Sequence, residues 1–118
     1  SSSAFIQALE GAGRGVMVTQ VLPFPYTSLT RAARELRSLL EGAGSKPSYA
    51  AMHGFLGAKL IIEGLRRAKE PTPASLMSAF DGNTIDLGGY TLDYTRKQRQ
   101  GSRLVEITMI GPDGLFYQ

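Results

Sequence analysis

Tyr49 and His53 are the residues best equipped for chemistry in this chain. They stand four apart in a stretch of helical pattern, so both project from one face of a helix. An imidazole beside an aromatic plate suits a ligand cleft. A hydrogen-bonded pair inside a core is the commoner use of the same two residues. Phe24 and Tyr26 flank Pro25 just beyond a Val-rich run. Loops past the carboxyl ends of parallel strands are where open α/β sheets bind ligands, so these rings are further cleft candidates; as packing plugs they would serve equally. Asp81, Asp86 and Asp93 sit near turns at loose spacing. Carboxylates in such places usually accept from backbone amides, so no metal site is expected. The basic loop Arg96-Lys97-Gln98-Arg99 has only Tyr94 for stacking. A surface for nucleic acid wants both charge and stacked rings, so this loop is read as a solvated hairpin tip.

Composition removes whole classes of chemistry. The 118 residues contain no Cys, no Trp and one His. Disulfides, thiolate catalysis, Cys-bound zinc and iron–sulfur clusters are therefore excluded, and so are His-pair metal motifs within one chain. Thirteen Lys and Arg oppose ten Asp and Glu, and the resulting +3 is spread along the sequence, too weak to argue for nucleic acid. No G-x-S-x-G, P-loop or dinucleotide fingerprint occurs; Gly11-Ala12-Gly13-Arg14-Gly15 precedes a strand and not a helix. No nucleophile–base pair can be named, so no catalytic residue, cofactor or enzymatic activity is expected. Apolar residues at 42% and charged ones at 19% suit a single globular α/β or α+β unit, not a disordered chain. No run nears the roughly 20 apolar residues of a membrane span. Ser1-Ser2-Ser3 opens no charged or apolar leader, which fits a cytosolic protein or a leader lying outside these residues.

The elements that must position the candidates follow from pattern. Residues 4–9 look like the last turns of a helix closed by Gly11-Ala12-Gly13. Gly15 to Leu22 is Val-rich, apolar on both faces and stopped by Pro23 and Pro25, which predicts a strand covered on both sides in a parallel sheet. Thr27 or Ser28 is expected to cap an amphipathic helix ending at Gly42, with Leu29, Ala32, Ala33, Leu36, Leu39 and Leu40 at helical spacing. Ser48 caps a longer helix, Tyr49 to about Ala68. Its Ala50, Gly54 and Ala58 form a smooth ridge suited to close approach by another layer. Thr72-Pro73 opens a short helix to Phe80. Gly89–Tyr94, Arg103–Ile110 and Leu115–Tyr117 then suggest three strands in an antiparallel meander.

Three stretches in this order carry a family resemblance: GVMVTQVLPFPY, then KPSYAAMHGFLGAKLIIEGLRRAKEPTPASLMSAF, then IDLGGYTLDYTRKQRQGSRLVEITMIGPDGLFY. They resemble the C-terminal third of substrate-binding proteins of bacterial ABC transporters, in the branched-chain amino acid (leucine/isoleucine/valine) binding family. The resemblance covers nearly all residues from about Gly13 onward. It implies part of a type I periplasmic-binding-protein fold: helices on a mainly parallel sheet, with a C-terminal antiparallel β meander. Whole members have two lobes joined by three crossing strands, close on a small solute, and deliver it to a membrane permease.

By that resemblance the chain is a fragment. Residues 1–14 would be a helix end and linker, 15–86 a lobe segment of one strand and three helices, and 87–118 the final crossing and meander. The function implied is non-catalytic binding of an amino acid or similar solute in the periplasm, with an ABC permease as partner. Tyr49 matches the family's cleft-lining aromatic, and the loop of Pro23 to Tyr26 borders the cleft. His53 joins through its nearness to Tyr49. Together with Phe24 they suggest an aromatic or amide solute. Most of the family's contacts to the amino and carboxylate groups of the ligand lie in earlier segments. A half-lobe exposes sheet edges, so the fragment is expected to self-associate. The competing reading is a free-standing small α/β domain for protein interaction or regulation.

Overall fold

The computed structural model describes residues 5–6, 8–9, 12–96 and 99–118. The chain order is β1 (Met17–Gln20), α1 (Arg31–Gly42), α2 (Tyr49–Arg67), α3 (Pro73–Phe80), β2 (Thr84–Asp86), β3 (Thr91–Asp93), β4 (Glu106–Ile110) and β5 (Phe116–Tyr117).

The helices start where side-chain oxygens meet orphan amides. Ser48 Oγ accepts from Ala51 N at 3.1 Å, and Thr72 Oγ1 accepts from Ser75 N at 3.2 Å, with Pro73 in the first turn. Both starts match the sequence pattern. The start of α1 does not. Thr30 is its cap, accepting from Ala33 N, while Thr27 and Ser28 lie in a turn closed by Ser28 N to Phe24 O. Leu29 is 83% exposed, so the buried stripe begins only at Ala32 and Ala33.

The sheet also departs from expectation. Helices and strands combine as foreseen, and the C-terminal strands are antiparallel. Among the described residues, however, every ladder is antiparallel. β4 lies between β1 and β5, with Val18 opposite Thr108, Gln20 opposite Glu106 and Ile110 opposite Phe116. β2 and β3 form a hairpin of their own, Ile85 opposite Leu92. The three-strand meander is thus split: β3 leaves β4, and β1 takes its place. Nor is β1 covered on both sides. One face of the β1–β4 ladder packs inward through Gln20, Thr108 and Ile110. The other carries Met17, 73% exposed, and Ile107, 61% exposed, beside Val21 and Met109. Apolar residues on both faces mark a strand that can be buried twice, and no described element covers the second face.

The packing of α2 shows the same asymmetry. Met52, Leu56 and Gly64 are buried on the side facing α1, α3 and the hairpin. Gly64 lets α3 pack close, since a Cβ there would lie 2.6 Å from Leu76 Cδ1 and against the Phe80 ring, and those side chains would have to shift. Ala50, Gly54 and Ala58 are exposed, and a Cβ on Gly54 would meet nothing within 4 Å. The ridge expected to touch a second layer is therefore open, because it lies on a different face from Met52 and Leu56.

Two apolar clusters result. The larger joins α1 (Ala32, Ala33, Leu36), α2 (Met52, Leu56) and the hairpin (Ile85, Leu92). The smaller joins Phe24, Tyr49, Ile110 and Phe116, and Leu22 packs on both. The hairpin is anchored at its tip. Gly88 and Gly89 adopt φ of 103° and 85°, open to glycine without strain. Asp86 Oδ1 accepts from Gly88 N at 3.0 Å and from Gly89 N at 2.7 Å, and Ala32 N donates to Gly88 O at 2.9 Å. The Gly89 and Gly88 amides hold the Asp86 carboxyl below the usual carboxylate range. A carboxyl lowered on folding stabilises the fold above its unfolded pKa, and that support goes as the pH falls through the folded value. This tip therefore belongs to neutral solution and weakens in acid.

Candidate functional site

The site is built around four rings. Phe24 and Tyr26 lie 5.1 Å apart between centroids, Phe24 and Tyr49 6.3 Å, Tyr26 and Tyr49 6.5 Å, and Tyr49 and Phe116 5.6 Å, all edge to face. That geometry sets the positive ring edge against the negative ring face. Each ring has a local reason for its place. Buried Pro23 and Pro25 fix the backbone around Phe24, whose N–H donates to Glu106 Oε2 at 3.1 Å. The Arg37 guanidinium clamps the same loop, donating to Pro25 O at 3.2 Å and to Ser28 O at 2.9 Å. The Ser48 cap makes Tyr49 the first residue of α2. Phe116 is delivered by its pairing with Ile110 on β5.

Beneath the rings lies the polar inner face of the β1–β4 ladder. Thr108 Oγ1 donates to Val18 O at 3.1 Å. Gln20 Nε2 and Tyr49 Oη are buried without a hydrogen-bond partner among the described residues. Burial pushes the Tyr49 hydroxyl well above its ordinary value, and the negative Glu106 adds to the shift. The neighbouring Thr108 hydroxyl acts the other way, but its proton points to Val18 O and no aligned bond joins it to Tyr49. Burial also raises Tyr26. Tyr49 thus stays protonated at neutral pH, a buried donor rather than a base.

A cavity of about 360 Å³ opens beside the cluster, lined by Phe24, Tyr26, Thr27, Leu115, Phe116 and Tyr117. A second, of about 370 Å³, lies between α2, the end of β1 and the hairpin, with Leu22, Leu56, Leu60, Leu92 and Tyr94 in its wall and His53 among them. Tyr90 Oη donates to Val21 O at 3.2 Å across its edge.

Three of the four residues singled out from sequence, Phe24, Tyr26 and Tyr49, therefore meet in one cluster. His53 does not join them. It is exposed and belongs to the second cavity, one helical turn along α2, while Tyr49 is only 8% exposed. The pair is neither one handle nor a hydrogen-bonded core unit. Sequence reasoning missed Phe116, Gln20, Glu106 and Thr108. The period-two alternation of β4 did carry a signal, since it puts Glu106 on the inner face with Thr108 and Ile110. Among the described residues no three His, Asp or Glu side chains converge as metal ligands would.

The comparisons with known proteins agree on one family. Its sequence pattern, described as periplasmic binding protein, matches residues 1–114. Among solved structures, the chain is similar to an extracellular ligand-binding receptor from Verminephrobacter eiseniae ef01-2, at 29% identity and a TM-score of 0.81, covering 100% of this chain and 35% of that one. A substrate-binding periplasmic protein from Ralstonia solanacearum shares 32% identity at a TM-score of 0.74, over 91% of this chain and 32% of its own. A possible leucine/isoleucine/valine-binding protein from Rhodopirellula baltica SH 1 matches in fold, at 23% identity and a TM-score of 0.82, over 99% of this chain and 33% of that one. No curated protein matches. The chain spans about a third of the length of these structures. The order of elements and the family pattern agree, and the chain belongs to the periplasmic binding protein family, with the fold of part of a type I member.

Proposed function

We propose that this chain is the C-terminal part of an extracytoplasmic solute-binding protein that feeds an ABC permease, and that it holds a small solute without transforming it. The observation that carries the reading is the aromatic cluster of Phe24, Tyr26, Tyr49 and Phe116 beside a cavity of about 360 Å³. Ligand pockets are concave and mostly apolar, with a few placed polar groups; Thr27 and Gln118 lie in this lining, and the buried Tyr49 hydroxyl and Gln20 amide lie in the residues packed behind it. The solute is an amino acid or a similar small molecule, and the rings favour an aromatic or amide side chain. One solved neighbour is described as a leucine/isoleucine/valine-binding candidate, which points to the same class. The cellular place is the periplasm.

In this reading residues 1–14 end a helix and link, 15–86 belong to one lobe, and 87–118 make the last crossing. The hairpin β2–β3 ties the last two segments together across residue 86. The open faces of β1–β4 and α2 are covered by the rest of the longer protein. Native mass spectrometry of the full-length gene product tests the role. A non-covalent small molecule released on activation, with a mass of an amino acid or close analogue, is the expected result. A protein that carries no solute and gains none from a panel of free amino acids and amides would contradict it.

A further inference from the structure

We infer that Arg37 is a positioning residue for solute binding: its guanidinium, bonded to Pro25 O and Ser28 O, holds one wall of the 360 Å³ cavity in the shape that receives the solute. The inference rests on the solute-binding reading above and adds a residue that acts on the site without lining it. Residues 21–30 join β1 to α1 outside any ladder or helix. They carry Phe24, Tyr26 and Thr27, and the rest of the lining is residues 115–118. Prolines have no N–H, so Pro23 and Pro25 stiffen this loop but give it no donor to tie it down. From the sheet side it is held by Phe24 N, which donates to Glu106 Oε2 at 3.1 Å. From the helix side it is held by Arg37, whose Nη1 donates to Pro25 O at 3.2 Å and Nη2 to Ser28 O at 2.9 Å.

Tyr26 and Thr27 lie between the two carbonyls that Arg37 engages. Both are exposed where Phe24 is buried, so packing alone fixes them less firmly. One planar guanidinium spanning two carbonyls sets the distance between them, which a lysine ammonium on its flexible stem cannot do. Arg37 itself is half-buried. Among the described residues it pairs with no carboxylate, and both its side-chain hydrogen bonds go to this loop. The helix that carries it is fixed by buried Ala32, Ala33 and Leu36 and by Ala32 N donating to Gly88 O at 2.9 Å. Arg37 thus refers a strand-free loop to a rigid element. A protein whose competent shape is only partly populated binds with its affinity reduced by that fraction. Releasing the clamp lets residues 25–28 leave that shape in the free protein. Bound solute restores it, so the cost falls on association and not on dissociation.

The test measures affinity and both rate constants on the full-length protein, with L-phenylalanine, L-leucine and L-glutamine as probes. At least one should bind the wild type. Arg37→Lys keeps the charge and loses the fork, and Arg37→Gln loses both. In each, affinity for that probe should fall by at least about fivefold through slower association, with dissociation within about twofold of wild type and the fold intact by circular dichroism. Arg34→Lys makes the same exchange at an exposed position of α1 and should change neither rate. Wild-type affinity in both Arg37 variants, or full binding in Arg37→Lys, would overturn the inference and leave the binding role standing. Faster dissociation at an unchanged association rate would do the same, since it marks a group that touches the solute. Variants that do not fold would make Arg37 a structural residue only, and the inference would fall. If none of the three probes binds the wild type, the inference falls as well. A solute found bound by mass spectrometry would then preserve the broader role alone.

Discussion

Tyr49→Ala in the full-length protein should weaken solute binding by about tenfold or more and cost the fold about 3–5 kcal/mol. The stability loss follows from position. Tyr49 is 8% exposed, sits edge to face against Phe116 at 5.6 Å, and touches Phe24 and Tyr26 at 6.3 and 6.5 Å. Truncation leaves a ring-sized hole among three aromatics, and each lost edge-to-face pair removes about 0.5–1.5 kcal/mol beyond area burial. Tyr49→Phe is the control. It keeps the ring and removes a buried hydroxyl that has no partner among the described residues, so its stability should equal or exceed wild type. Denaturant unfolding and calorimetry on the two variants separate packing from recognition. Unchanged affinity in Tyr49→Ala would take Tyr49 out of the site while leaving the family assignment intact.

The 118-residue segment produced by itself should not remain a monomer at micromolar concentration. Its sheet ends at β1, whose outer edge has no partner among the described residues. An edge without Lys, Pro or a bulge is a template for another strand, and β1 reads Met-Val-Thr-Gln. An antiparallel pairing of β1 with a second β1 closes with two-fold symmetry. It would also merge two exposed apolar faces of Met17, Val21, Ile107 and Met109. The open stripe of Ala50, Gly54 and Ala58 on α2 adds a further sticky surface. Light scattering should give a mass of at least twice 12.7 kDa. A stable, cooperatively folding monomer would show that these faces need no cover, and would favour a free-standing interaction domain over a lobe fragment.

Local signals in the sequence were legible wherever the physics is local. Ser48 and Thr72-Pro73 start helices because their oxygens reach amides three residues on. Pro23 and Pro25 stop β1 because they cannot extend a ladder. Errors arose where partners are far apart in the chain. Val18 meets Thr108 across ninety residues, and no pattern in either strand names the other. The hairpin β2–β3 escaped because Thr84–Asp86 is too short to show alternation; its identity lies in the Asp86 and glycine tip. Within the site, the proline loop and Tyr49 were readable as aromatics at element ends. Phe116 was not, since its contact with Tyr49 is wholly tertiary. His53 misled because a shared helix face does not make a shared cavity.

Hydrogen exchange on the full-length protein, with and without the solute it carries, tests the central claim most directly. If the solute is held by this segment, added protection should concentrate on residues 23–26, the first turn of α2 and residues 104–118, with the solute recovered chemically unchanged. Protection confined to other parts of the protein, or a solute recovered as a different molecule, would contradict it.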